Sequence, residues 1–231
     1  MLPETSVQEA PVSFDDKIII VDKPLDFTSA DVVRLFKKQF RIKKIGHAGS
    51  LDPKATGLLI LCTDSMTKRI DLFMDMEKEY SGIIRIGAVT KSFDTEKEEE
   101  NEVDTSHITD EDIQKAINSF LGESEQMPPM YSAIKHKGRA LYKLAREGKV
   151  IERKVRKIII SNIEARKINF KEVFFNVVCS KGTYIRVIAD DFGARLGVGG
   201  YLLELRRLRI GNITLENLDR EARNIKFKFL N

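Results

Sequence analysis

The amino-acid sequence predicts an α+β protein with a mixed, largely antiparallel central sheet and flanking helices and loops. Three observations carry this expectation. Strand-length apolar runs recur along the chain, as in "IIIV" at 18–21 and "LLILC" at 58–62. Amphipathic stretches interrupt them irregularly, without a strict alternation of strand and helix. Two long strand patterns, "VRKIIISNIEARKINF" and "EVFFNVVCS", follow one another directly and favour antiparallel pairing.

The elements read in order. "KIIIVDKP" is a strand stopped by Pro24, and "SADVVRLFKKQF" an amphipathic helix capped by Thr28 or Ser29. "LLILCT" is a buried strand, "TKRIDLFM" a short helix and "EYSGIIRIG" another strand. Thr109 can cap a helix with Asp112 three residues on, an apolar stripe through Ile113, Ala116, Ile117 and Phe120, and Gly122 as its stop. After Pro128 and Pro129 comes a helix in "RALYKLAREG", then the two long strands, a helix opened by Thr183 and a last strand in "YLLELRRLRIG".

At 231 residues, 42% hydrophobic and 32% charged, the chain has the balance of a globular protein and can bury a sizeable core. No apolar run reaches membrane-spanning length and the first residues carry no apolar signal core, so the expected location is cytoplasmic. Cys62 and Cys179 lack metal-site spacing and read as buried reduced thiols. A net charge of +4 decides little, but its distribution is uneven. Residues 94–112 hold ten acids and one lysine and read as a solvated loop, whereas Lys181, Arg186, Arg195, Arg206, Arg207 and Arg209 concentrate positive charge that would suit a polyanion.

The stretch "KIGHAGSLDPKATGLLIL" at 44–61 is the most informative. A phosphate-binding loop needs Gly-Lys-Ser/Thr, which is absent from it. An aspartyl-phosphate enzyme would place its acid at the end of an apolar strand with a second acid two residues on, where this chain has Lys54. Asp52 before Pro53 could serve merely as a turn residue. A simple turn, however, has no use for His47, Asp52 and three glycines gathered together, whereas a site offering a carboxylate to a ligand does.

That stretch closely resembles the active-site motif of the TruB-type tRNA pseudouridine synthases. Four other segments resemble the same family in order and spacing over about residues 17–211: "IIIVDKPLDFTSADVV", "EKEYSG", "PPMYSAIKHKGRALYKLAREG" and "CSKGTYIRVIADDFGARLGVGGYLLELRRLRIG". The resemblance implies the pseudouridine-synthase fold and isomerisation of uridine 55 in the tRNA T-loop, without cofactor or metal, on a monomer. It divides the chain into an N-terminal extension (1–16), a catalytic domain (17–211) and a short tail (212–231) too short for the RNA-binding domain that many relatives add.

The resemblance also implies roles. Asp52 maps onto the nucleophile, Arg186 onto its cationic partner and Tyr80 onto the active-site tyrosine. Tyr184 and Leu205 would line the pocket, His47 would insert near a flipped base, and Lys23, grouped with these substrate-side residues, would support the active-site loop. Lys43, Lys44, Lys181, Arg206 and Arg207 would meet RNA phosphates. After "RIGAVT" this chain departs from the family pattern, with Lys91 in place of an acid, which leaves the surroundings of Asp94 open. A catalytically silent protein that binds or folds tRNA with the same surface is the alternative.

Overall fold

Alternation of apolar side chains to both faces decides where the sheet's centre lies. In β1 (Ile18–Lys23), Ile19 and Val21 join one core cluster while Ile18 and Ile20 join another on the opposite face. α1 (Ser29–Gln39) begins at a capping box: Asp31 N–H donates to the Thr28 hydroxyl, and Thr28 N–H donates to the Asp31 carboxylate. Its Val32 and Phe36 pack on the first of those clusters. β2 (Ile45–Ala48) and β3 (Ala55–Thr63) form a hairpin around the Asp52 loop. β3 repeats the alternation, with Leu59 and Leu61 on one face and Leu58 and Ile60 on the other.

A 3₁₀ turn (Asp64–Arg69) leads to α2 (Ile70–Asp75) and β4 (Lys78–Ile86). Next come α3 (Asp110–Asn118), β5 (Gly122–Gln126), the two-residue strands β6 (Lys135–His136) and β7 (Arg139–Ala140), and α4 (Leu141–Arg146). β8 (Arg156–Lys167), β9 (Glu172–Cys179), α5 (Ile185–Arg195) and β10 (Gly200–Ile210) follow, then β11 (Ile213–Thr214), β12 (Arg220–Ala222) and β13 (Ile225–Phe229). The computed structural model describes residues 13–230, so most of the expected extension, residues 1–12, lies outside the described residues.

Eleven strands make one sheet in the order β12, β13, β1, β3, β10, β4, β9, β8, β5, with β2 beside β3 and β11 beside β10. Among the described residues its single parallel strand pair is β3 with β10, where Gly57 lies opposite Arg207. Gly57 has φ +100°, and a Cβ there would stand 2.3 Å from the Arg207 carbonyl oxygen, so only glycine lets these two strands meet. α3 and α5 cover the β4, β8 and β9 half of the sheet, burying Ile113, Ile117, Ile188 and Phe192 against Val173, Phe175 and Val177.

The mixed, mostly antiparallel architecture is the one expected, with several differences in detail. The stretch read as one short helix at 67–74 is split between the 3₁₀ turn and α2. α5 starts two residues after Thr183, whose hydroxyl donates to the Ser180 carbonyl at 2.9 Å and so closes the preceding turn. The acidic stretch is not wholly solvated: Asp94 and Thr105 are 4% and 3% exposed. Residues after Gly211 join the sheet, with Phe227 of β13 opposite Val21 of β1.

Candidate active site

Asp52 stands in the connection between β2 and β3, and the loop that carries it is tied down from several sides. Leu51 N–H donates to the Ser29 hydroxyl at 2.9 Å, and Asp26 N–H donates to the Pro53 carbonyl at 2.9 Å. Arg207 reaches across from β10, its Nη2 donating to the Gly49 carbonyl at 2.9 Å and its Nε to Leu58 at 2.7 Å. Lys23 Nζ donates to the carbonyls of Pro24 (2.9 Å) and Phe27 (2.5 Å) and lies 3.5 Å from that of Pro53.

These contacts bear on two expectations. Arg207 is 1% exposed and spends Nε and Nη2 on backbone carbonyls, so its main work is to brace the loop from the cleft wall. Lys23 is 0% exposed and lies beneath the loop, off the cleft wall, so of its two expected places it takes loop support and not a place among the substrate-side residues. Burial lowers the pKa of its ammonium to about 8, against the nearby Asp52 carboxylate, which favours the charged form.

The first turn of α5 presents Arg186 to two carboxylates. Its Nη1 lies 2.9 Å from Asp94 Oδ2 and 3.1 Å from Asp52 Oδ2, while Nη2 donates to the Tyr131 carbonyl at 2.5 Å. The side chains of Arg186 and Asp94 are 4% and 6% exposed, that of Asp52 46%. Asp94 therefore holds the guanidinium from the protein side and Asp52 meets it from the open side. Desolvation by the surrounding protein raises the Asp52 pKa above the usual carboxylate range; Arg186 is the main opposing influence, Lys23 aids it, and Asp94 adds to the rise.

Asp94 was missed as a site residue, because an acid within an acidic block carries no distinguishing pattern. Its placement comes from the turn around it, where the Thr90 and Ser92 hydroxyls donate to its main-chain oxygen and Glu96 N–H donates to its carboxylate. Gln126 was missed as well. Its side-chain oxygen accepts from Tyr184 N–H at 2.8 Å and its amide donates to the Tyr184 carbonyl at 3.1 Å, fixing the chain just before α5.

Asp52 and Arg186 open onto a cleft of about 910 Å³ whose walls include Tyr80, Tyr184, Leu205 and Lys181. Tyr80 is 9% exposed and burial raises its pKa, so it remains a neutral phenol. The Tyr184 ring lies 5.9 Å from the Arg186 guanidinium. Five sequence-predicted residues lie outside the cleft wall: Lys23, His47, Lys43, Lys44 and Arg206. His47 is half-buried on β2, its Nδ1 without a hydrogen-bond partner; burial and then Arg207 lower its pKa and favour the neutral ring.

The basic residues of the late segment do not form one open surface. Arg206 forks onto Asp22 at 3.0 and 2.8 Å, Arg209 pairs with Glu77 and Glu79, and Arg195 lies over the Phe120 ring. Lys43 and Lys44 are exposed. Among the described residues, no group of three or more His, Cys, Asp and Glu side chains is placed to hold a metal ion.

An aspartate at a cleft, held against a buried arginine on a mostly antiparallel sheet, is the arrangement expected of the pseudouridine synthases that the sequence resembles. Residues 37–185 match the model of the TruB family pseudouridylate synthase N-terminal domain. The chain is 50% identical over 200 residues to the tRNA pseudouridine synthase B of Clostridium tetani (strain Massachusetts / E88), covering 87% of this chain and 69% of that protein. To the enzyme of the same name from Chlorobium chlorochromatii (strain CaD3) it is 46% identical over 217 residues, covering 92% of this chain and 84% of the other. The chain belongs to the TruB family of pseudouridine synthases, and is accordingly an isomerase. Among solved structures it resembles a chain in a crystal structure of a Cbf5-Nop10-Gar1 complex, with TM-score 0.66 and 29% identity over 88% of this chain. This chain spans about half, 54%, of that one.

Proposed function

We propose that the protein converts uridine 55 in the T arm of tRNA to pseudouridine, with Asp52 as nucleophile. The carrying observation is the arrangement of Asp52, Arg186 and Asp94 at the cleft. The reaction breaks the bond between ribose C1′ and uracil N1, turns the ring and forms a bond from C1′ to C5; the C5 proton leaves and N1 gains one. Nothing is oxidised or reduced, so the chemistry needs a nucleophile, a shaped pocket and a route for one proton.

Asp52 attacks as a carboxylate. Desolvation works against its ionisation, and Arg186 supplies the compensating charge in a fixed direction because Asp94 holds Nη1 and the Tyr131 carbonyl holds Nη2, while Nε has no partner among the described residues. Tyr80, held as a phenol, stacks on the uracil in preference to acting as a base. Tyr184 and Leu205 line the pocket. A uridine inside a folded loop reaches Asp52 only after extrusion from its stack. In this reading neutral His47 rearranges on binding to fill the vacated space, and Lys43, Lys44 and Lys181 meet the backbone.

The name shared by the relatives, tRNA pseudouridine synthase B, supports tRNA as the substrate class. A monomer in the cytoplasm completes the reading. Mapping pseudouridine along an unmodified tRNA transcript after incubation tests it: conversion confined to position 55 is expected. Tight binding without conversion would favour the catalytically silent alternative, and conversion at another position would overturn the assignment of the T arm.

A further inference from the structure

Two lysines on the cleft wall already hold carboxylates. Lys181 Nζ lies 2.8 Å from Asp75 Oδ1 and Lys157 Nζ lies 2.9 Å from Glu123 Oε1, and all four residues line the cleft that contains Asp52. Both pairs bridge separate elements: Asp75 ends α2 while Lys181 sits in the turn before α5, and Glu123 and Lys157 lie on the neighbouring strands β5 and β8.

The backbone that carries the Asp75 pair is held on both sides. Buried Lys78 caps the end of α2, its Nζ donating to the carbonyls of Phe73 at 3.2 Å, Met74 at 2.5 Å and Met76. On the other side the Thr183 hydroxyl ties off the turn that carries Lys181. All four side chains are at least 60% exposed, so each carboxylate stands where an incoming phosphate oxygen would bind the same lysine.

We propose that Asp75 and Glu123 are specificity-determining residues that mask the charge of Lys181 and Lys157 from shapeless polyanions. Displacing an exposed carboxylate costs little. A folded RNA arrives with its phosphates already in place, whereas a flexible strand must also be ordered to compete for the lysine. The carboxylates therefore discriminate by shape, adding a repulsive element against the wrong ligand. The inference rests on folded tRNA being the substrate.

Equilibrium binding of poly(U) and of an unmodified tRNA transcript is compared for wild type, Asp75→Asn, Glu123→Gln and the double variant at several salt concentrations. Each single substitution is expected to tighten poly(U) binding by up to about fivefold and tRNA binding by less than about twofold, because folded tRNA already overcomes the carboxylate. The slope of log affinity against log salt for poly(U) steepens by about 0.7 per freed lysine. In a Lys181→Gln background only the carboxylate's own repulsion is left to remove, so Asp75→Asn is expected to tighten poly(U) binding by clearly less than in wild type. Equal gains for both RNAs, no gain, weaker binding, or a gain undiminished in the Lys181→Gln background would overturn the proposal. Failure of wild type to make pseudouridine from the transcript would instead defeat the substrate reading, and the poly(U) comparison separates the two failures.

Discussion

At the scale of single residues, the site sets the stability of Asp52 against its chemistry. A carboxylate whose folded pKa lies above its unfolded value favours folding when protonated, so its ionisation destabilises the fold as pH rises through the unfolded and then the folded pKa. Asp52→Asn removes that cost while leaving Arg186 its Asp94 partner. The variant is therefore expected to melt above wild type at pH 7, by about 2–4 °C for each kcal/mol relieved, and to lose the advantage below the ordinary carboxylate range. A lower melting temperature at pH 7 would show that the carboxylate stabilises the fold. Arg186→Lys tests the other half of the pair. One ammonium cannot serve Asp52, Asp94 and the Tyr131 carbonyl together as the planar guanidinium does. The single-turnover rate should fall on the order of 10²-fold, and weaker support for the Asp52 anion should move the acid limb of its pH profile upward. A wild-type acid limb would separate Arg186 from the ionisation of Asp52.

At the scale of elements, the sheet positions the site by bringing β3 and β10 together at Gly57, which places Arg207 under the Asp52 loop. A Cβ at residue 57 would collide with the Arg207 backbone, so Gly57→Ala should yield little folded protein; a soluble variant with wild-type activity and thermal midpoint would refute that packing account. The C-terminal strand is equally integral. Phe227 of β13 is 3% exposed and meets the rings of Phe36 in α1, Phe40 just after α1 and Phe229 of its own strand. Phe227→Ala should cost about 3–5 kcal/mol in urea unfolding with an unchanged slope, whereas a loss below about 1 kcal/mol would mark a strand merely resting on the surface. This strand was not legible in the sequence, because "NIKFKF" alternates over too few residues to stand out from a polar tail. The caps at Thr28 and Thr109 and the apolar runs of β1 and β3 were legible, since they depend on neighbours in sequence. Asp94, Gln126 and the burial of Arg207 were not, since each depends on a partner far along the chain: Asp94 and Arg186 are 92 residues apart, and Arg207 and Leu58 are 149.

At the scale of the whole molecule, the charge pattern is more balanced than the sequence suggests. Of the late basic residues, Arg186 and Arg207 are internal and Arg206 and Arg209 are paired, so the net charge of +4 does not condense into one broad basic face. Recognition then falls on a cleft that is shaped by the fold and only partly charged, which suits a folded RNA better than an extended one. The central claim is that this cleft exists to present one ionised aspartate to an extruded uridine. Its most direct test is pseudouridine at position 55 of an unmodified tRNA transcript, compared between wild type and Asp52→Asn in the presence of EDTA at matched tRNA binding. Wild type is expected to convert the transcript stoichiometrically and the variant not at all. Conversion by Asp52→Asn at a rate near wild type would contradict it.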